Sequence, residues 1–156
     1  MKEIAAAEIA GRVAELCLQA CTVLPSDVAA ALAAAQQQEE SPLGREVLAR
    51  LLDNAAAADE DGVPLCQDTG LAVVFVEMGE QVRVVSGGLA EAITSGVREG
   101  YERGYLRNSV VASPLNRRNT GDNTPPVLHT ELVPGDELRV TVLAKGALNL
   151  PLNQLS

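Results

Sequence analysis

Apolar residues recur at steps of three and four along the first 62 positions, then run together from 71 to 85. Ile9, Val13, Leu16, Cys17 and Ala20 fall on one face of a helix with a 3.6-residue period. "VLPSDVAAALAAAQQQEE" restarts a helix, with Ser26 as the expected N-cap and Asp27 at the positive end of the helix dipole. "ESPLGREVLARLLDNAAAADEDG" repeats the device. Ser41 caps, Pro42 takes the first helical position, Val47, Leu48, Leu51 and Leu52 form the apolar stripe, and Gly62 stops the helix.

After residue 62 the period changes. "LAVVFVEM" is short, continuous and rich in branched residues, which predicts a strand buried on both faces. "QVRVV" predicts a second strand, and "SGGLAEAITSGVREGYERGYL" a helix with Leu89, Ile93, Val97 and Tyr101 stepping by four. A polar loop, "SPLNRRNTGDNTPP", leads to the strands "VLHTELV" and "ELRVTVLA", joined by the turn "PGD". No internal repeat is present, and the alanine-rich stretches read as helix. The expected architecture is α/β (α+β): a helical part over 1–62, then a mixed sheet with flanking helices over 63–146. Residues 147–156 fit neither period and read as an atypical tail, all within one domain.

Composition narrows the picture. A chain of 156 residues can bury roughly 70% of its unfolded surface without disulfide staples. With no Trp, one Phe and two Tyr, its core must be filled by Ala, Val and Leu. The formal charge of −9 disfavours nucleic acid and anionic membrane surfaces as partners, so an anionic ligand would need particular arginines to hold it. No apolar run approaches the length of a membrane span, and Glu3, Glu8 and Glu15 spoil the N-terminus as a signal peptide. Three cysteines do not make a disulfide framework, and a cytoplasmic location is the expectation.

Candidate chemistry concentrates in "PLCQDTG" at 64–70. Cys66 sits in a loop between a helix and a strand, beside Gln67, Asp68 and Thr69. Buried cysteine is commonly a small hydrophobe, but a polar loop at the mouth of a strand is also a usual place for a site. Cys17 and Cys21 are spaced for one helix face and share it with Val13, Leu16 and Ala20, so they read as core and not as metal ligands. His129 lies on the more polar face of its strand, either solvated or lining a cavity, and no nucleophile elbow or phosphate loop accompanies it. Arg107, two residues before Ser109, and Arg117 and Arg118 in the polar loop could each grip a carboxylate with two parallel hydrogen bonds, or form ordinary surface ion pairs.

Taken in order, "PLCQDTG", "LRNSVV" and "NTGDNTPPVLHTELVPGDELRVTVLAKG" resemble the α-type region of class I fumarases and L-tartrate dehydratases, which are iron–sulfur hydro-lyases. The resemblance runs from about the first helix to Gly146. It implies that Cys66 is one of three thiolates holding a 4Fe–4S cluster. Gln67 and Asp68 would then bind substrate, with Asp68 in proton transfer, Arg107 on a substrate carboxylate, and Gly146 in a loop approaching the same substrate. The implied reaction is reversible hydration of fumarate to L-malate, or dehydration of tartrate.

Two further cluster cysteines are expected beyond the point where this sequence ends, and "ALNLPLNQLS" replaces a glycine-rich continuation. The chain is therefore expected to be a truncated N-terminal region, inactive alone and completed by a C-terminal region or β-type subunit, in a homo-oligomer. The alternatives are a non-catalytic assembly or regulatory domain of the same fold and a thiol redox protein.

Overall fold

The computed structural model describes residues 1–113 and 115–146, and the expected tail over 147–156 lies outside the described residues. The element order is β1 (Lys2–Ala5), α1 (Ala6–Thr22), α2 (Ser26–Gln38), α3 (Pro42–Asp61), β2 (Leu71–Gly79), β3 (Val82–Val85), α4 (Leu89–Arg103), β4 (Val127–Val133) and β5 (Leu138–Lys145). The fold is α/β, as expected. β1, which the helical reading of the N-terminus misses, pairs in parallel with β3 as a separate two-stranded ribbon. A four-residue strand leaves too short a period to read.

The main sheet has the order β4-β2-β5, with β4 parallel and β5 antiparallel to β2. The strands joined by "PGD" are therefore not neighbours, because β2 lies between them. The turn at Pro134–Asp136 crosses the end of β2, where Gly79 N–H donates to Glu137 C=O at 2.8 Å and Gln81 N–H to Gly135 C=O at 2.9 Å. Gly79 permits this crossing, since a Cβ there would lie 2.5 Å from the Gly135 carbonyl oxygen.

The core forms where α1, α4 and one face of the sheet meet. Ile9, Val13, Cys17 and Cys21 of α1 pack with Ile93, Val97 and Tyr101 of α4 and with Ala72, Val74 and Val76 of β2. α1 and α4 approach closely because Gly96 and Gly100 face α1. A Cβ on Gly96 would meet the Ala10 carbonyl oxygen, and one on Gly100 would lie 2.8 Å from that of Ala14. A core poor in aromatics is thus filled by bringing backbones together.

Three expectations need correction. β2 is buried along one face and only in part on the other: Val74 and Val76 point inward, while on the opposite face Val73 is buried and Phe75 is 41% exposed. The apolar stripe of α3 does not enter the core, since Val47 and Leu51 are exposed and Ala58 is its buried residue. Ser26 is the first residue of α2 and makes no side-chain cap, whereas Ser41 caps α3 as expected, its Oγ accepting from Gly44 N–H at 3.3 Å. Gly62 ends α3 in the left-handed conformation, φ 64°.

The stretch Ala6–Gln38 reaches a mean hydropathy of 1.5 over an 18-residue window, so an apolar run of spanning length does exist by length and composition. In the fold it comprises two helices, α1 and α2, with Pro25 as the N-cap of the second. The apolar face of α1 is spent on α4 and the sheet.

Candidate functional site

The residues from Val63 to Gly70 form a loop that leaves α3 and enters β2. Its start is tied down by Leu65 N–H donating to Cys21 C=O at 2.9 Å and by the Asn54 amide donating to Leu65 C=O at 3.0 Å. Cys66 and Gln67 are exposed, Asp68 is half-buried, and Thr69 and Gly70 are buried. Asp68 N–H donates to Cys66 Sγ at 3.5 Å, and Gly70 N–H donates to Asp68 Oδ1 at 3.2 Å, so the thiol and the carboxylate each fold back on the loop.

Gly70 and Gly146 explain how the end of β5 reaches this loop. Gly70 has φ 60°, and a Cβ there would collide with the Lys145 carbonyl oxygen; a Cβ on Gly146 would lie 2.9 Å from Asp68 Oδ2. Two glycines thus let two backbones and a carboxylate share one small space.

Residues 107–113 and 115–124 supply the opposite side. Thr69 Oγ1 donates to Arg107 C=O at 3.1 Å, which places the Arg107 backbone against the loop while its side chain stays exposed. The segment then doubles back as an irregular hairpin, with Thr120 N–H to Val110 C=O at 3.0 Å and Ala112 N–H to Arg118 C=O at 2.8 Å. None of the ion pairs among the described residues involves Arg107, Arg117 or Arg118. Arg107 stands beside the loop while the other two lie out along the hairpin.

Three residues not singled out for chemistry hold the site together. Tyr101 Oη of α4 donates to Thr69 C=O at 3.0 Å, and burial pushes its phenol above the usual range. The fully buried Asn123 amide donates to Gly70 C=O at 3.1 Å and accepts from Ser109 and Val110 N–H at 2.7 and 3.0 Å. Arg98 pairs with Asp122 at 2.8 Å, and with the Thr124 hydroxyl this holds the carboxyl down at about 2. Helical spacing marks Tyr101 as apolar packing and hides its hydroxyl. As one of several asparagines in a polar loop, Asn123 carries no distinguishing signal.

The other candidates fall outside this cluster. Cys17 and Cys21 are core, and burial raises their thiols to about 12 and about 11. His129 is exposed and stacks on Phe75, ring centroids 5.0 Å apart, on the outer sheet face. That face carries a shallow depression of about 570 Å³ lined by Phe75, Glu77, His129 and Glu131, away from Cys66.

The donor set fits one corner of an iron–sulfur site and not a whole one. Cys66 is the exposed thiol of the three, and among the described residues no three of His, Cys, Asp and Glu gather to hold a metal ion.

A family model described as "Fumarate hydratase (Fumerase)" matches residues 10–147, most of the chain. "Putative L(+)-tartrate dehydratase subunit alpha" of Methanocaldococcus jannaschii is 34% identical over 148 residues, covering 90% of this chain and 51% of that protein. "L(+)-tartrate dehydratase subunit alpha" of Escherichia coli strain UTI89 is 31% identical over 135 residues, covering 83% and 44%. "Fumarate hydratase class I, anaerobic" of Escherichia coli strain K12 is 34% identical over 110 residues, covering 69% and 20%. The chain spans about half the length of the tartrate dehydratase subunits it matches and a fifth of the fumarate hydratase.

Proposed function

The chain belongs to the fumarate hydratase family, and from that premise we propose that it supplies one share of the active site of an iron–sulfur hydro-lyase acting on fumarate and malate, or on tartrate. One observation carries the reading: the Cys66–Asp68 loop, Gly146 and the Arg107 segment converge at one end of the sheet, with the thiol on the exposed side.

Each residue has a role its chemistry allows. Cys66 provides one thiolate, and a region farther along the chain provides the two others. When bound, such a cluster supplies a Lewis-acid iron that eases departure of a hydroxyl group. Gln67 offers both a donor and an acceptor to a carboxylate or hydroxyl from an exposed position. Asp68, half-buried and anchored through one oxygen to Gly70 N–H, presents a carboxylate for taking or returning the carbon-bound proton. Arg107 clamps a substrate carboxylate through two parallel bonds, the strongest local answer to an overall charge of −9. Gly146, lacking a side chain, leaves room beside Asp68.

The test is to join this chain with the remaining region of a tartrate dehydratase or class I fumarate hydratase, load it anaerobically with iron and sulfide, and assay both reactions. Hydro-lyase activity should appear and vanish in Cys66→Ser, and Asp68→Asn should lower kcat by about 10²–10⁴-fold. Full activity in Cys66→Ser would sink the assignment, as would an inactive complemented wild type.

A further inference from the structure

We propose that Asn123 is the positioning residue that fixes the spacing between the Cys66–Asp68 loop and the Arg107 segment. It does so by holding each with a different end of one buried amide. The inference rests on the reading that those two segments face one substrate, but its geometric content can be decided without any assay of activity.

The amide is used from both ends. Its nitrogen donates to Gly70 C=O at 3.1 Å, where the loop enters β2. Its oxygen accepts from Ser109 N–H at 2.7 Å and Val110 N–H at 3.0 Å, two and three residues beyond Arg107. The side chain is fully buried, so water cannot replace either set of bonds. Its backbone is left-handed, φ 56°, a conformation that Asn and Asp tolerate better than other residues with a Cβ.

Each segment has a further tether. The loop is also held by Tyr101, which donates to Thr69 C=O, and the two segments touch directly through Thr69 Oγ1 and Arg107 C=O. Asn123 differs in bonding both segments through one rigid planar group. A change that loosened one end alone would shift Gln67 and Asp68 relative to Arg107 while leaving Arg107 itself in place.

The substitution Asn123→Asp is such a change. It keeps the shape, the left-handed tolerance and the oxygen acceptor, and, measured above the pH at which the buried carboxyl ionises, replaces the donor to Gly70 with an oxygen. Amide hydrogen exchange by NMR on the 156-residue chain should then show the loop opening more often, read as about tenfold faster exchange of Gly70 N–H, which donates to Asp68 Oδ1 within the loop, with Ser109 and Val110 unchanged. In the complemented, cluster-loaded protein the same variant should lower kcat about tenfold with KM for the dicarboxylate within about twofold, because the Arg107 clamp keeps its anchor. A purely structural loss would raise exchange on both sides together, and that overturns the proposal. So does a risen KM at unchanged kcat.

Should the variant fail to fold, the wild type still decides. The side-chain amide protons of Asn123 should exchange as slowly as core backbone amides, and fast exchange would refute the bridge. If the complemented wild type shows no hydro-lyase activity, the functional reading falls, while the exchange pattern continues to judge Asn123 on its own.

Discussion

α1 and α3 come from similar sequence. Both are rich in alanine, both carry apolar residues at helical steps, and they run for 17 and 20 residues. Their fates differ. α1 buries Ala6, Ile9, Val13, Ala14, Cys17 and Cys21 against α4 and the sheet, whereas α3 buries Ala58 and α2 buries no residue among those described. The difference lies in the partner. α4 presents Gly96 and Gly100 to α1, so the two backbones close to within contact and Val-sized side chains suffice to fill the gap. α2 and α3 find mainly each other, and two apolar stripes of modest width leave their outer sides in water. Periodicity announces a helix; what it packs on decides whether the stripe is buried.

The comparison breaks most sharply at the seam. Ile93 is fully buried between α4, α1 and the sheet, so Ile93→Ala should cost about 3 kcal/mol, read as a lower urea midpoint at unchanged slope. Gly96→Ala comes next. Its methyl group would press on the Ala10 carbonyl oxygen and lie 2.7 Å from Val13 Cβ, and relief requires the helices to part, at about 2 kcal/mol. If Gly96→Ala is neutral in thermal unfolding, close backbone approach is not what distinguishes α1 from α3.

A smaller effect sharpens the link between the seam and the site. Arg98 lies on α4 and Asp122 on the loop holding Asn123, so their pair at 2.8 Å couples the two. Asp122 is held at about 2, below its usual 3.8, so its extra stabilisation is present above pH 3.8 and is lost as pH falls toward 2. Both partners are partly exposed, which limits the pair to about 1 kcal/mol. Asp122→Asn should therefore be less stable than the wild type by about that much at neutral pH, with the two converging near pH 2. A gap that persists in acid would assign the loss to the Thr124 hydrogen bonds and not to charge.

Much of this was legible in the residues. Four-residue steps located α4 and the buried face of α1, and the "PLCQDTG" loop stands beside Gly146 and the Arg107 backbone, segments that the family resemblance alone had grouped. What was not legible is non-local. β1 is too short to carry a period, and its partner β3 is about 80 positions away. The insertion of β2 between β4 and β5 depends on a crossing at Gly79 that no pattern of apolar positions encodes. Phe75 looked like core because a continuous apolar run gives no alternation from which to read an open face. Asn123 and Tyr101 were hidden because their role is a hydrogen bond to a distant carbonyl, and a residue type alone does not name its acceptor.

The smallest expected effect tests the other half of the comparison. Leu51 is one of the largest apolar side chains of α3, and in a buried stripe Leu→Ala would cost about 2–5 kcal/mol. Here it is 48% exposed, so much of its surface is already in water in the folded state, and little transfer free energy is available to lose. Alanine is also the better helix former, which offsets part of what remains. Leu51→Ala should therefore change stability by no more than about 0.5 kcal/mol in urea or thermal unfolding of this chain. A cost of several kcal/mol would mean that the outer face of α3 is covered in solution, and the contrast between the two helices would then belong to the isolated chain and not to the protein at work.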